Sequence, residues 1–374
     1  MGLWGLYLIH LDNICGGVKF LEGEKKLKSA GGIVIVYPSL VPSPYSKMQE
    51  ARRIIAEWQA PFELDLSHLD LDELPEIPEG VIILHCSHNR LSTLPDNLPA
   101  SIREIYCDFN LITRLPYTLP PSLEVLKCNN NQLSILPSSL PNTIRYLNVS
   151  NNQLRHISTQ LPDSLETFLC CTNYLTVLPL LPSGLIELYC SNNCINILSS
   201  LPNSLKCLYC HSNCLKVIPL LPPFLNTLEC RDNAIEILPA LPPTLKNLIC
   251  DGNKLIAIPT LPNTLDMLCC NKNKLNSLPK LPLTIRMLSC KGNLLSELPD
   301  LPPKLVLLSS NNNRFPNRRF KESVADYWGR VSEYVIQKRI VDRTSLYKED
   351  LIAAAWHPSR VCKWIEAGYD LGDL

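Results

Sequence analysis

From about Leu64 to Phe315 the chain repeats one arrangement of apolar and polar positions. A clear copy places Leu123, Leu126, Cys128, Asn131, Leu133, Leu136 and Pro137 in the pattern L-x-x-L-x-C-x-x-N-x-L-x-x-L-P. Leu126 and Cys128 alternate with Lys127, the period of two that a half-buried strand requires. The Asn position recurs at Asn89, Asn110, Asn131, Asn152 and Asn173, in steps of 21 residues. It continues through Asn193, Asn213, Asn233, Asn253, Asn273, Asn293 and Asn313 in steps of 20. Three residues before each Asn stands Cys86, Cys107, Cys128, Cys170, Cys190, Cys210, Cys230, Cys250, Cys270 or Cys290, with Val149 and Ser310 as exceptions. The opening copy, from Leu64 to Pro75, has Leu69 where the others have Asn.

A period of 20 to 21 residues with this signature marks leucine-rich repeats. Each copy is too small to bury its own apolar side, so stacked copies must share a continuous core. The spacing predicts one short strand per copy, all parallel, with Leu and Cys inward and the residues between them on the concave face. The Asn amide serves the backbone groups of the turn and links one repeat to the next. After each strand come two Leu-Pro steps, as at Leu178-Pro179 and Leu181-Pro182, or Leu238-Pro239 and Leu241-Pro242. Proline fixes φ and lacks an N–H, which suits extended chain and not helix. The expected fold is an α/β repeat solenoid with a parallel concave sheet, an extended polyproline-like convex side and helical caps. At ~4.8 Å per strand the stack is about 60 Å long.

The flanks carry other patterns. In residues 48–63, Ala51, Ile54, Ile55 and Trp58 recur at helical spacing, which predicts a helix over 48–59 that covers the open first repeat. The solenoid is assigned to 64–315 and a small helical segment to 316–374. In that segment Phe320, Val324, Trp328, Val331 and Val335 share one face. Further helices are expected around 348–356 and from Pro358 to Gly368, the latter with Val361, Trp364 and Ile365 in its stripe. Residues 1–47 read as an appendage, or as an upstream extension of the reading frame. They include a strand candidate at Ile33–Tyr37 and a proline-rich linker at Pro38–Pro44. The apolar start lacks a basic flank, and Leu6 stands where myristoylation needs Ser or Thr.

Composition narrows the function classes. Lysine plus arginine and aspartate plus glutamate each number 35, so net charge favours neither nucleic acid nor an anionic membrane. No apolar run is long enough to span a bilayer. Seventeen cysteines would suggest disulfides in a small secreted chain, but ten of them occupy one repeat position, which points to packing. In-register parallel neighbours do not readily meet disulfide geometry. Reduced thiols and an intracellular setting are therefore expected.

The array resembles the short leucine-rich repeats of the bacterial IpaH/SspH/YopM effector group, which share the double Leu-Pro step, the opening Leu64–Ser67 phrase and a preceding helix. The likeness covers about two thirds of the chain. It implies a protein-binding solenoid at work between a pathogen and its host. The phrase Ala355, Trp356, His357, Pro358, Arg360, Trp364 and Gly368 resembles a tail of giant DNA virus proteins. In the effector group some members are ubiquitin ligases, with a large helical domain and a nucleophilic Cys after the repeats. Here Cys362, beside Lys363, is the sole cysteine after the array.

Candidate binding residues lie on the outward columns. The position between Leu and Cys carries Tyr106, Lys127, Tyr189, Tyr209 and Glu229; two residues earlier comes Tyr146, and after the Cys come His211 and Arg231. Tyrosine and arginine are enriched at protein interfaces, although aromatic residues also suit exposed strands for packing reasons alone. Cys207, Cys210, His211 and Cys214 have zinc-like spacing, but the strand register puts Cys207 and Cys210 on opposite faces. The chain shows no phosphate loop, metalloprotease helix or serine-nucleophile elbow. The expected protein is a non-enzymatic binder of another protein, without cofactor or metal. A ubiquitin-ligase adaptor and a structural virion component are the alternatives.

Overall fold

The computed structural model describes residues 27–28, 34–35, 44–58, 62–157, 160–317, 319 and 322–346, with side chains from 47 to 338. Near the start, β1 (Leu27–Lys28) and β2 (Val34–Ile35) pair antiparallel as a sheet of their own. Of the Ile33–Tyr37 strand candidate, only Val34–Ile35 is strand among the described residues. Helix α1 (Pro44–Glu57) follows. It begins before the expected residue 48, with Pro44 in its first turn, where the missing N–H costs no helical bond.

Thirteen parallel strands then form one sheet in strict chain order. They are β3 (Glu63–Asp65), β4 (Ile83–His85), β5 (Glu104–Tyr106), β6 (Val125–Lys127), β7 (Tyr146–Asn148) and β8 (Thr167–Leu169). Next come β9 (Glu187–Tyr189), β10 (Cys207–Tyr209), β11 (Thr227–Glu229) and β12 (Asn247–Ile249). The last are β13 (Met267–Cys269), β14 (Met287–Ser289) and β15 (Leu307–Ser309). Equivalent residues align, so Leu208 sits between Leu188 and Leu228. No helix interrupts the described chain between β3 and β15. A thin back of this kind keeps strand spacing close on both sides of the repeat, where helices would need about 10 Å each.

The core is a set of columns. The middle residue of each strand is buried, as at Leu64, Leu126, Leu208 and Leu288. The ten Cys of the repeat position are all buried free thiols. Some donate weakly to the next strand: Cys107 Sγ lies 3.3 Å from the Lys127 carbonyl and Cys250 Sγ 3.4 Å from that of Cys269. Burial pushes these thiols up, to about 12 at Cys230 and Cys290.

The Asn column stitches the turns. Asn193 Nδ2 donates to the carbonyls of Cys170 (3.0 Å), Cys190 (3.1 Å) and Ser191 (3.3 Å), while its Oδ1 accepts from Leu175 N at 3.0 Å. The residue before each Asn adopts positive φ, even Phe109 (54°), Thr172 (53°) and Lys272 (51°). Left-handed backbone there aims the Asn inward, and its four bonds offset a conformation that side chains such as Thr disfavour. Gly252 occupies this position at φ 61°, and a Cβ there would collide with Asp232 Oδ1. In the first copy Leu69 needs no amide of its own, because Asn89 Oδ1 accepts from Leu69 N at 3.1 Å.

Helices close both ends. On α1, Ala51 is fully buried, and Ile54 and Ile55, with Trp58 directly after the helix, pack against the core. Trp58 Nε1 donates to Glu63 O at 2.8 Å, and Lys47 pairs with Asp70. At the far end α2 (Val324–Leu346) is capped by Ser323, whose Oγ accepts from Asp326 N at 3.0 Å. Tyr327 and Val331 are fully buried, with Val324, Trp328, Tyr334 and Val335 beside them. Ser310 breaks the Cys column because the cap requires it: its Oγ bonds the Tyr327 hydroxyl at 2.8 Å. A buried phenol needs such a partner, and a thiol would be a poor one. Phe320, the expected helices beyond 347, the Ala355–Gly368 phrase and Cys362 lie outside the described residues.

Candidate functional site

On every strand of the sheet the outer two side chains face away from the core, and most are half-buried. The eight residues singled out in the sequence all stand on the strands of this concave face or directly after them. They do not form one patch. Geometry sorts them into a first group on β4 to β7 and two contiguous groups on β9 to β11, separated by Thr167 and Leu169 of β8.

In the first group the His85 and Tyr106 rings stack at 4.6 Å. Lys127 Nζ lies 4.8 Å from the centre of the Tyr106 ring and 5.3 Å from that of Tyr146. The lysine thereby links two tyrosines that occupy different columns and adjacent-but-one strands. Tyr106 donates its hydroxyl proton to Glu104 Oε2 at 2.6 Å, and His85 Nε2 lies 3.0 Å from Glu63 Oε1. Burial, then the Glu104 carboxylate, pushes the Tyr106 phenol up to about 12. Burial likewise raises Tyr146. Both phenols stay protonated donors at physiological pH.

In the second group Tyr189 and Tyr209 stack at 4.5 Å with their planes 5° apart. The Tyr189 hydroxyl donates to Glu187 Oε2 at 3.2 Å. Burial, then the charge of Glu187, raises Tyr189; burial, then Cys207, raises Tyr209. The third group centres on Glu229, whose Oε1 is 2.8 Å from Arg231 Nε and 3.8 Å from His211 Nε2. Burial lowers His211 in spite of the nearby carboxylate. The imidazole is therefore neutral at neutral pH, and Arg231 carries the group's positive charge.

Four participants were absent from the residues singled out in the sequence: His85, Glu63, Glu104 and Glu187. Their signal lay in register, since Glu104 and Glu187 each precede a column tyrosine by two residues. A third ring stack was not legible from the strand pattern. His68, His88 and Phe109 lie at the positive-φ turn positions and stack at 4.3 and 4.5 Å.

The cysteine motif of β10 is divided as its register requires. Cys210 is buried in the core, Cys207 half-buried on the concave face, and Cys214 exposed on the turn. Among the described residues no three His, Cys, Asp or Glu side chains gather as a metal site. Nor is any described helix long and apolar enough to cross a membrane.

No protein-family model matches the chain. A search of curated proteins also matches none. Solved structures do match. YopM from Yersinia enterocolitica WA-314 is 34% identical with a TM-score of 0.67; the match covers 72% of this chain and 59% of that one. The chain therefore spans less than two thirds of that protein's length. YopM of Yersinia pestis, a leucine-rich effector protein, is 30% identical with a TM-score of 0.61, over 77% of this chain and 93% of that one. The functional domain of InlJ from Listeria monocytogenes, which includes a cysteine ladder, is 26% identical with a TM-score of 0.53, over 67% and 63%. Repeat phrase, register and these matches agree: the chain belongs to the leucine-rich-repeat family that includes the YopM effectors.

Proposed function

We propose that this protein is a non-catalytic scaffold that holds a protein partner against its concave face, in an interaction between a pathogen or virus and its host. One observation carries the reading. The strand positions that face the core repeat the same residues, whereas the concave positions vary and are occupied by paired tyrosines, histidine, lysine and arginine. These side chains are already stacked or ion-paired, so a partner meets a preorganised surface and little rotamer entropy is lost on binding. Tyrosine and arginine in half-buried positions are the usual energetic centres of protein interfaces. The kinship with a leucine-rich effector supports the host-interaction part of the reading. The adaptor alternative rests on the segment 316–374, of which α2 is described, and the virion-component alternative and an enzyme acting through Cys362 rest on residues outside those described.

The test is affinity capture with mass spectrometry from the native host cell, comparing the wild type with a Tyr146→Ala, Tyr189→Ala, Tyr209→Ala variant. Partners held by the wild type are expected to disappear from the variant. A variant that retains every partner, with its unfolding midpoint little changed, rejects the concave-face reading.

A further inference from the structure

Charge on the concave face is uneven. From β3 to β9 the open positions carry Glu63, Asp65, Glu104, Asp108 and Glu187 against a single lysine, Lys127. That lysine already lies against the Tyr106 and Tyr146 rings. Two of the carboxylates sit in the same local unit, a glutamate accepting from the tyrosine two residues on: Glu104 with Tyr106 at 2.6 Å and Glu187 with Tyr189 at 3.2 Å. In both units only Oε2 is engaged, and Oε1 has no partner among the described residues. Beside the first unit, Asp108 Oδ2 accepts from Ser87 Oγ at 3.1 Å, while its Oδ1 is buried with no hydrogen-bond partner. That oxygen is closed off from the surface, so Asp108 adds its negative charge to this half of the face and offers no docking oxygen there.

We infer that the partner contributes an extended, basic segment that runs along the concave face and places one arginine or lysine at Glu104 and a second at Glu187. The inference rests on the concave-face reading above and adds its chemistry. The two units stand four strands apart, on β5 and β9. At ~4.8 Å per strand that is about 19 Å, and at ~3.3 Å per residue an extended peptide covers it in about six residues. Between the two points lie Tyr146 and Leu169, which suit an apolar or aromatic residue at the middle of the segment. A guanidinium fits the free carboxylate oxygens better than an ammonium, because its fork offers several donors in one plane. The same charge pattern repels phosphate chains, so a nucleic acid is disfavoured at this half of the face.

The experiment is selection of a displayed random-peptide library on the full chain, with peptides long enough to span β3 to β11. A synthetic copy of an enriched peptide is then titrated by fluorescence anisotropy. Enriched peptides are expected to carry two basic residues about six positions apart. Binding is expected to weaken about tenfold in a Glu104→Gln, Glu187→Gln variant and to weaken further as salt rises. Acidic or neutral enriched peptides, absence of enrichment, or unchanged affinity in the glutamine variant overturns the inference. The triple tyrosine variant separates the two readings. Peptides that ignore the glutamine changes but are lost with the tyrosines leave the concave face as the binding surface and reject its basic partner. Peptides that ignore both variants reject both readings.

Discussion

The two sides of one strand behave as different molecules. On β10, Leu208 is buried between Leu188 and Leu228, and the buried column beside it is cysteine for most of its length. On the opposite side of the same strand, Cys207 and Tyr209 have different neighbours on either hand: Glu187 and Thr227, and Tyr189 and Glu229. Inside, each repeat meets near copies of itself, so the environment hardly changes from step to step and Leu and Cys solve it with few exceptions, such as Phe168, Val149 and Ser310. Outside, the neighbour in front is solvent or a partner, and nothing in the stack demands repetition. The buried side holds the solenoid together, and the concave side is available for recognition.

Thiol chemistry tests this division most severely. In the native chain near pH 8, Cys194 and Cys214, both exposed, are expected to alkylate freely. Cys190 and Cys210 are fully buried, and burial holds their thiols protonated. Their reaction must wait for opening of the repeat, so it is expected to be at least about a thousandfold slower. Peptide mass spectrometry over time reads both classes, and fast modification of Cys190 or Cys210 would break the comparison.

Neighbouring substitutions on one strand give the next contrast. Leu208→Ala is expected to cost about 2–5 kcal/mol in denaturant unfolding, through lost burial and the cavity left behind. Tyr209→Ala, one residue on, forfeits a half-exposed ring stack and is expected to cost about 1 kcal/mol. Equal costs at the two positions would show that the concave rings are structural. An intermediate effect belongs to the turn. Asn193→Ala strands Leu175 N, takes one of two amide donors from each of the Cys170 and Cys190 carbonyls, and is expected to cost about 1–3 kcal/mol. A neutral result there would mean that backbone or water replaces the amide, and that the positive-φ turn at Asn192 is stable without it.

Some features were legible because they repeat. A phrase that returns every 20 or 21 residues averages out local ambiguity, so the register of Leu126, Lys127 and Cys128 could be read from any copy. The caps have no such redundancy. The helical spacing found Val324, Trp328, Val331 and Val335, yet missed Tyr327, the most deeply placed aromatic of α2. A tyrosine's hydroxyl argues for the surface until a partner is known, and Ser310 lies 17 residues away. Likewise the Pro38–Pro44 stretch reads as linker although Pro44 starts α1, because proline suits extended chain and a helix's first turn alike.

The candidate surface divides in the same way. Sequence by itself determined the parallel solenoid, the inward Leu and Cys columns, the structural Asn column and the set of positions open on the concave face. Each follows from periodicity, which depends only on what comes next along the chain. The tertiary structure decided which open residues touch: His85 on Tyr106, Lys127 between Tyr106 and Tyr146, Tyr189 on Tyr209, and Arg231 with His211 about Glu229. Most of these contacts join neighbouring strands separated by a whole repeat. Their geometry depends on strand stacking and on rotamers that periodicity leaves free, and it took the stacked sheet to settle them.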